Sequence, residues 1–219
     1  TPLTNIKSYT ETLMDAAGEL PMETEKRFLG VISGEADRMT RIVKDLLTLS
    51  KLDYGRMELT FRRFSIPKML ENVYTAMKLD AQNNGHVLTL DMQEDLPEMV
   101  GDKERLEQVV VNIISNSIKY TSAGGHIQVK AAMRDPHSLM LRIADDGIGI
   151  PKEDIPRLFE RFYRVDKARS REKGGTGLGL AIAKEMVEAH HGTIHLESEL
   201  NVGTTVTIIL PVDLQVGDA

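Results

Sequence analysis

From Phe28 to Leu49 a side-chain seam advances by alternating steps of four and three: Phe28, Ile32, Glu35, Met39, Ile42, Leu46 and Leu49, with Glu35 its one charged member. A period near 3.5 lays one stripe of a helix against a neighbouring helix, whereas a strand changes face every second residue. A shorter copy precedes it at Leu3, Ile6, Thr10, Leu13 and Ala17, and Gly18-Glu19-Leu20-Pro21 breaks the pattern between the two. Residues 1–56 are therefore expected to form an antiparallel helical hairpin. Two helices bury little surface alone, so the hairpin needs a partner, either its own C-terminal part or a second chain. A second apolar strip of Ile6, Val31, Ala36, Val43 and Leu47 widens the arc to be covered and favours a homodimer joined as a four-helix bundle.

The texture changes at Met57. "MELTF" has a short strand pattern, Ser65-Ile66-Pro67 caps a helix to about residue 82, and "HVLTLDM" alternates as a strand. Asp102 opens a long helix that Ser122-Ala123-Gly124-Gly125 ends. Strands are expected at about 125–134 and 138–145. A loop-rich stretch then runs to Gly179, followed by a helix closing at Gly192 and two strands, "TIHLES" and "GTTVTIIL". The expected fold class is α+β, with residues 1–56 as the hairpin and residues 57–219 as helices layered on a mainly antiparallel sheet.

Composition narrows the function. The 219 residues include 41% hydrophobic side chains, enough for a core, and no Cys, which removes disulfides, thiolate metal sites and cysteine nucleophiles. The formal charge of −6 is spread over both parts, with 8 basic and 9 acidic residues in 1–56 and 19 and 24 in 57–219. An acidic balance argues against nucleic acid as a partner. No apolar run is long enough to span a bilayer, so no direct membrane contact is expected from these residues, though a parent protein with upstream membrane segments is compatible.

Three constellations carry chemistry. On the helix after Asp102, Leu106, Val109, Val110, Ile113 and Ile114 form the buried face, and Asn112, Asn116 and Lys119 a polar stripe beside it. Asn is disfavoured inside helices, and a carboxamide oxygen suits Mg²⁺ while Lys119 suits phosphate; a solvated boundary face is the alternative. In "ADDGIGIP", Asp145 ends a strand and can accept from an exocyclic amine such as adenine's. Gly147 and Gly149 would let the backbone approach a flat ligand, or simply make a tight turn. In "GGTGLGL", residues 174–180, glycines lead into a helix whose free amides can receive phosphate, in a pattern that is neither a Walker A nor a Rossmann loop. Between the last two, Arg161, Arg164, Lys167, Arg169, Arg171 and Lys173 suggest a basic flap over an anion.

Taken in order, Asn112-x3-Asn116, Asp145-x-Gly147-x-Gly149, Phe159-x2-Phe162 and Gly175-x-Gly177-x-Gly179 resemble the N, G1, F and G2 boxes of sensor histidine kinases of two-component systems. These kinases share an ATPase superfamily, the GHKL type, with gyrase, Hsp90 and MutL. "TPLTNIKSYTETL" resembles the end of their H box, usually His-Glu-Leu-Arg-Thr-Pro-Leu, and residues 161–192 are especially similar to the WalK type within that family. The resemblance implies an α/β-sandwich ATP-binding domain behind a dimerisation hairpin, with ATP and Mg²⁺ as cofactors. It implies a phosphoacceptor His four residues before Thr1, and a response regulator receiver domain as partner. It implies a cytoplasmic location in a protein anchored in the cell membrane. By position it assigns Asn116 to the metal, with Asn112 close by, and Asp145 to the adenine amine. Lys119, Tyr120 and Arg164 go to phosphates or ribose, and Gly175, Thr176, Gly177, Leu178, Gly179 and Leu180 to the phosphates. Thr1 would orient water for dephosphorylating the regulator.

None of the six His present stands in an H-box context, and His190 and His191 are expected to serve a helix C-terminus. Competing readings are an ATP-hydrolysing clamp of the gyrase or Hsp90 kind and a non-enzymatic dimerising scaffold. The clamps carry a Glu base four residues before the metal-binding Asn, where this chain has Asn112, and an amide cannot take a proton from water. A hinge is expected near Asp53–Gly55.

Overall fold

The computed structural model describes residues 2–16, 18–53, 58–165 and 175–214. The hairpin is α1 (Pro2–Asp15) and α2 (Met22–Asp53). Glu35 earns its place in the seam by accepting from Asn5 Nδ2 of α1 at 2.9 Å and from Arg38 at 3.4 Å, a polar tie between the two helices. The hairpin stays largely open along its second apolar strip: Ala36, Val43 and Leu47 are exposed, and α1 buries no residue within one chain. Leu49 at the far end of α2 is buried and belongs to the core of the following domain, against which Leu52 also packs. Asp53 is still helical; the rest of the expected hinge lies outside the described residues, as do Thr1 and positions 167, 169, 171 and 173 of the expected flap.

After the hairpin come β1 (Arg62–Ser65), α3 (Ile66–Asn83), β2 (Val87–Met92), β3 (Glu98–Gly101), α4 (Lys103–Tyr120), β4 (His126–Asp135) and β5 (Ser138–Asp145). A 3-10 turn (Ile155–Arg157), α5 (Gly179–Ala189), β6 (Thr193–Glu199) and β7 (Gly203–Pro211) complete the chain. Five strands form one sheet in the order β2-β4-β5-β7-β6, antiparallel except for the parallel pair β2 and β4. The expected strand at "MELTF" lies instead at Arg62–Ser65, because the short β3, which the periodicity does not show, pairs Phe64 with Met99 and Arg63 with Val100.

Local chemistry explains the helix starts. Ser65 accepts from Lys68 N–H, with Pro67 in the first turn of α3. Asp102 accepts from Arg105 N–H at 3.2 Å and so caps α4. The buried stripe of α4 lies over the inward residues of β4 and β5, Ile127, Val129, Ala131, Leu139, Leu141 and Ile143, all buried, while Gln128, Lys130 and Arg142 face out. Along these stretches β4 and β5 alternate as a one-sided sheet requires.

His190 caps α5 and also ties it to α4. Its Nδ1–H donates to Met186 O at 2.7 Å, and its Nε2 accepts from Asp102 N–H at 2.9 Å. The ring is fully buried, and a second proton would face a donor, so burial holds its pKa below the usual value. The unfolded chain takes up a proton below about pH 6.5 and the folded chain resists it, so stability is present above that pH and is lost as pH falls toward the folded pKa. On going from pH 7.5 to 5.5 the protein is expected to lose more stability than His190→Gln does, measured by urea unfolding.

Candidate nucleotide site

The helix α4, the end of β5, the 148–165 segment and the start of α5 enclose a cavity of about 410 Å³, within the range of small-molecule sites. Of the residues expected from sequence, Asn112, Asn116, Lys119, Tyr120, Asp145, Gly149, Arg164, Gly175, Thr176, Gly177, Gly179 and Leu180 line it. Gly147 and Leu178 stand behind the wall. Gly147 N–H donates to Asp145 Oδ1 at 3.0 Å, and Leu178 is fully buried with its N–H donating to Thr176 Oγ1 at 3.2 Å.

The lining brings unlike groups together. Ile113, Ile148, Ile150, Leu196 and Val206 supply aliphatic surface to the same cavity as the carboxylate of Asp145. Ser117 Oγ donates to Asp145 Oδ2 at 2.7 Å, and burial raises the carboxyl's pKa above the usual range. Ser117 was not expected from sequence; its signal is a polar residue on the otherwise apolar inner stripe of α4. The lining also includes Asn112, Asn116, Lys119, Arg164 and the opening turn of α5, whose Gly179 carbonyl lies 3.5 Å from Asn112 Nδ2. Burial, and then the charge of Arg41, lower the pKa of Lys119.

The glycines sit against other parts of the chain. A Cβ on Gly149 would lie 1.9 Å from Glu199 O, and one on Gly147 2.7 Å from Tyr120 O, so both make room for the protein's own backbone. Gly177, at φ +74°, is similarly closed in by Phe162 and Tyr163. Two lining residues escape sequence reasoning altogether. Arg41 and Asp45 come from α2 of the hairpin, and Asp45 Oδ2 accepts from Thr176 Oγ1 at 3.0 Å. Nothing local marks a pair 131 residues apart. Aliphatic side chains, a half-buried carboxyl, amide oxygens and cations around one cavity fit an adenine nucleotide with a divalent metal at its phosphates. Among the described residues no cluster of three or more His, Cys, Asp or Glu offers a metal a site of its own.

Comparison with known proteins agrees. Residues 101–214 match the family described as histidine kinase-, DNA gyrase B-, and HSP90-like ATPase, and residues 1–55 match the His Kinase A (phospho-acceptor) domain. The sensor histidine kinase WalK of Bacillus subtilis is 41% identical over 96% of this chain, and the WalK sensor kinase of Staphylococcus epidermidis 38% over 98%. The chain spans about a third of the length of these relatives, 34% and 35%. Among solved structures, the Acinetobacter baumannii histidine kinase AdeS aligns over 98% of this chain and 96% of its own, with a TM-score of 0.77 at 25% identity. Histidine kinase ThkA, solved in complex with the response regulator TrrA, shares the fold, with a TM-score of 0.75 at 21% identity over 96% of this chain and 58% of that one. The chain thus belongs to the histidine kinases, with a His Kinase A domain ahead of the ATP-binding domain that the family shares with DNA gyrase B and HSP90.

Proposed function

We propose that residues 57–219 bind Mg²⁺-ATP and that the chain is the cytoplasmic core of a membrane-anchored sensor kinase. In this reading residues 1–56 form a homodimer whose phosphoacceptor His lies four residues before Thr1. The γ-phosphoryl passes to that His and then to an Asp of a response regulator. Thr1, outside the described residues, orients water for the reverse dephosphorylation. The observation that carries the reading is the lining of one cavity by aliphatic side chains, the half-buried carboxyl of Asp145, the amides of Asn112 and Asn116 and the cations Lys119 and Arg164. Exposure of Ala36, Val43 and Leu47 supports dimerisation. Among the described residues no helix is long and apolar enough to cross a membrane, so the anchor is assigned to other segments of the protein.

When bound, the nucleotide supplies the phosphoryl group and Mg²⁺ neutralises its charge. The protein contributes position and charge, which is most of what phosphoryl transfer requires. Asp145 accepts from the adenine amine and the aliphatic wall excludes water from the ring. Asn116 offers its carboxamide oxygen to the metal, with Asn112 beside it, and Lys119, Tyr120, Arg164 and the amides of 175–180 hold ribose and phosphates. Asn112 cannot serve as a base for water, which favours transfer over the hydrolysis of a gyrase-like clamp.

The decisive test incubates this chain, and the same chain with His-Glu-Leu-Arg placed before Thr1, with Mg²⁺ and γ-labelled ATP. Acid-labile, base-stable label is expected on the extended chain alone, and it should vanish in its Asn116→Ala variant. Label on neither chain with steady phosphate release from both would instead establish the clamp. Nucleotide binding with neither label nor release would point to a scaffold.

A further inference from the structure

The hairpin supplies part of the nucleotide cavity. Arg41 and Asp45, one turn apart on α2, both line it, and the contact is backed by Leu49 and Leu52 packing into the catalytic core. Thr176 joins the two parts: its hydroxyl accepts from Leu178 N–H at 3.2 Å and donates to Asp45 Oδ2 at 3.0 Å. A carboxylate thereby holds the hydroxyl that leads into the amino end of α5, the place where helix geometry favours an anion. Asp45 occupies chemically the role a phosphate oxygen would take there.

Resting on the nucleotide reading above, we propose that Asp45 is an internal competitor for the phosphate tail, so that nucleotide binding and contact between α2 and the 175–180 segment oppose each other. Thr176 can give its proton to one acceptor at a time. A polyphosphate also brings negative charge beside a carboxylate for which burial already raises the pKa, meaning that its charge is costly where it stands. Arg41 and Lys119 offset part of this, since both lower the Asp45 pKa through their charge. Each added phosphate increases the repulsion, so a triphosphate is penalised more than a diphosphate. Linkage makes the effect mutual: whatever weakens ATP when α2 is docked also releases α2 when ATP binds. Asp45 is thus a specificity-determining residue, acting on phosphate number from outside the catalytic domain.

Calorimetric titration of the 219-residue chain with Mg²⁺-ATP and with Mg²⁺-ADP, at fixed ionic strength, tests this. Asp45→Asn keeps the shape and removes the charge; it is expected to tighten Mg²⁺-ATP about tenfold, within the usual range of coupling between sites, and Mg²⁺-ADP less. Asp45→Ala should shift the ATP-to-ADP affinity ratio in the same direction, whereas a merely structural role would move the unfolding midpoint and leave that ratio alone. A ratio unchanged from the parent in both variants overturns the proposal. The nucleotide reading fails separately, and takes this one with it, if the parent binds no Mg²⁺-ATP or if Asn116→Ala binds it as the parent does.

Discussion

Asp145→Asn is expected to weaken Mg²⁺-ATP binding by ten- to a hundredfold while the folded state survives. The carboxylate has two oxygens with separate tasks: Oδ1 accepts from Gly147 N–H and Oδ2 from Ser117 Oγ. An amide keeps one acceptor and turns a donor toward a position where the adenine amine also donates. A hydrogen bond to a charged group contributes about 1.5–3 kcal/mol, and a buried donor left facing a donor loses that and more. The same swap should be gentler on inosine triphosphate, whose ring carries a carbonyl where adenine carries the amine. Competition binding with ATP and inosine triphosphate therefore reads the assignment directly. If the variant keeps the parent's preference between the two nucleotides, Asp145 does not read the base.

Gly149→Ala is expected to destabilise the catalytic domain by about 3 kcal/mol or more, a large share of the 5–15 kcal/mol that holds a domain together. Two costs combine. At φ +64° an L side chain is strained, by roughly 1–2 kcal/mol. The added Cβ also meets Glu199 O at 1.9 Å, Glu199 C at 2.6 Å and Leu200 Cα at 2.9 Å, all backbone atoms that no rotamer change can move aside. Gly18 separates the two costs: its φ is +87°, yet nothing lies within 4 Å of a Cβ built there. Urea unfolding of Gly18→Ala should show the conformational cost alone, about 1 kcal/mol. Equal losses for the two variants would mean that the tight fit at Gly149 relaxes without cost.

Long periodic elements were legible because burial writes a local pattern. The seam of α2, the apolar stripe of α4 and the alternation of β4 and β5 can each be read from neighbours a few residues apart. β3 was not legible: Glu98–Gly101 is only 4 residues long, and pairing with β1, rather than any pattern of its own, makes it a strand. The parallel pairing of β2 with β4 is equally silent, since a strand's residues look the same whichever way its neighbour runs. At the site, Asn112, Asn116, Lys119 and Asp145 stood out because each breaks a local rule. Ser117 and His190 break weaker ones, and their partners lie 28 and 88 residues away. Gly147 and Gly149 were legible as special while the reason was not, because the backbone they make room for comes from elsewhere in the chain.

The Asp102 carboxylate does more than start a helix: with Oδ1 on Arg105 N–H, it accepts from Thr60 N–H through Oδ2 at 3.0 Å. That bond pins the incoming chain to the base of the helix bearing Asn112 and Asn116. From Asp53 to the pinned Thr60 the chain can span at most about 25 Å. Asn5, near the start of α1, lies across from Glu35, and at ~1.5 Å per residue Glu35 is about 27 Å up α2 from Asp53. The chain between Asp53 and Thr60 can therefore span no more than about the length of α2 that separates Asp53 from Glu35.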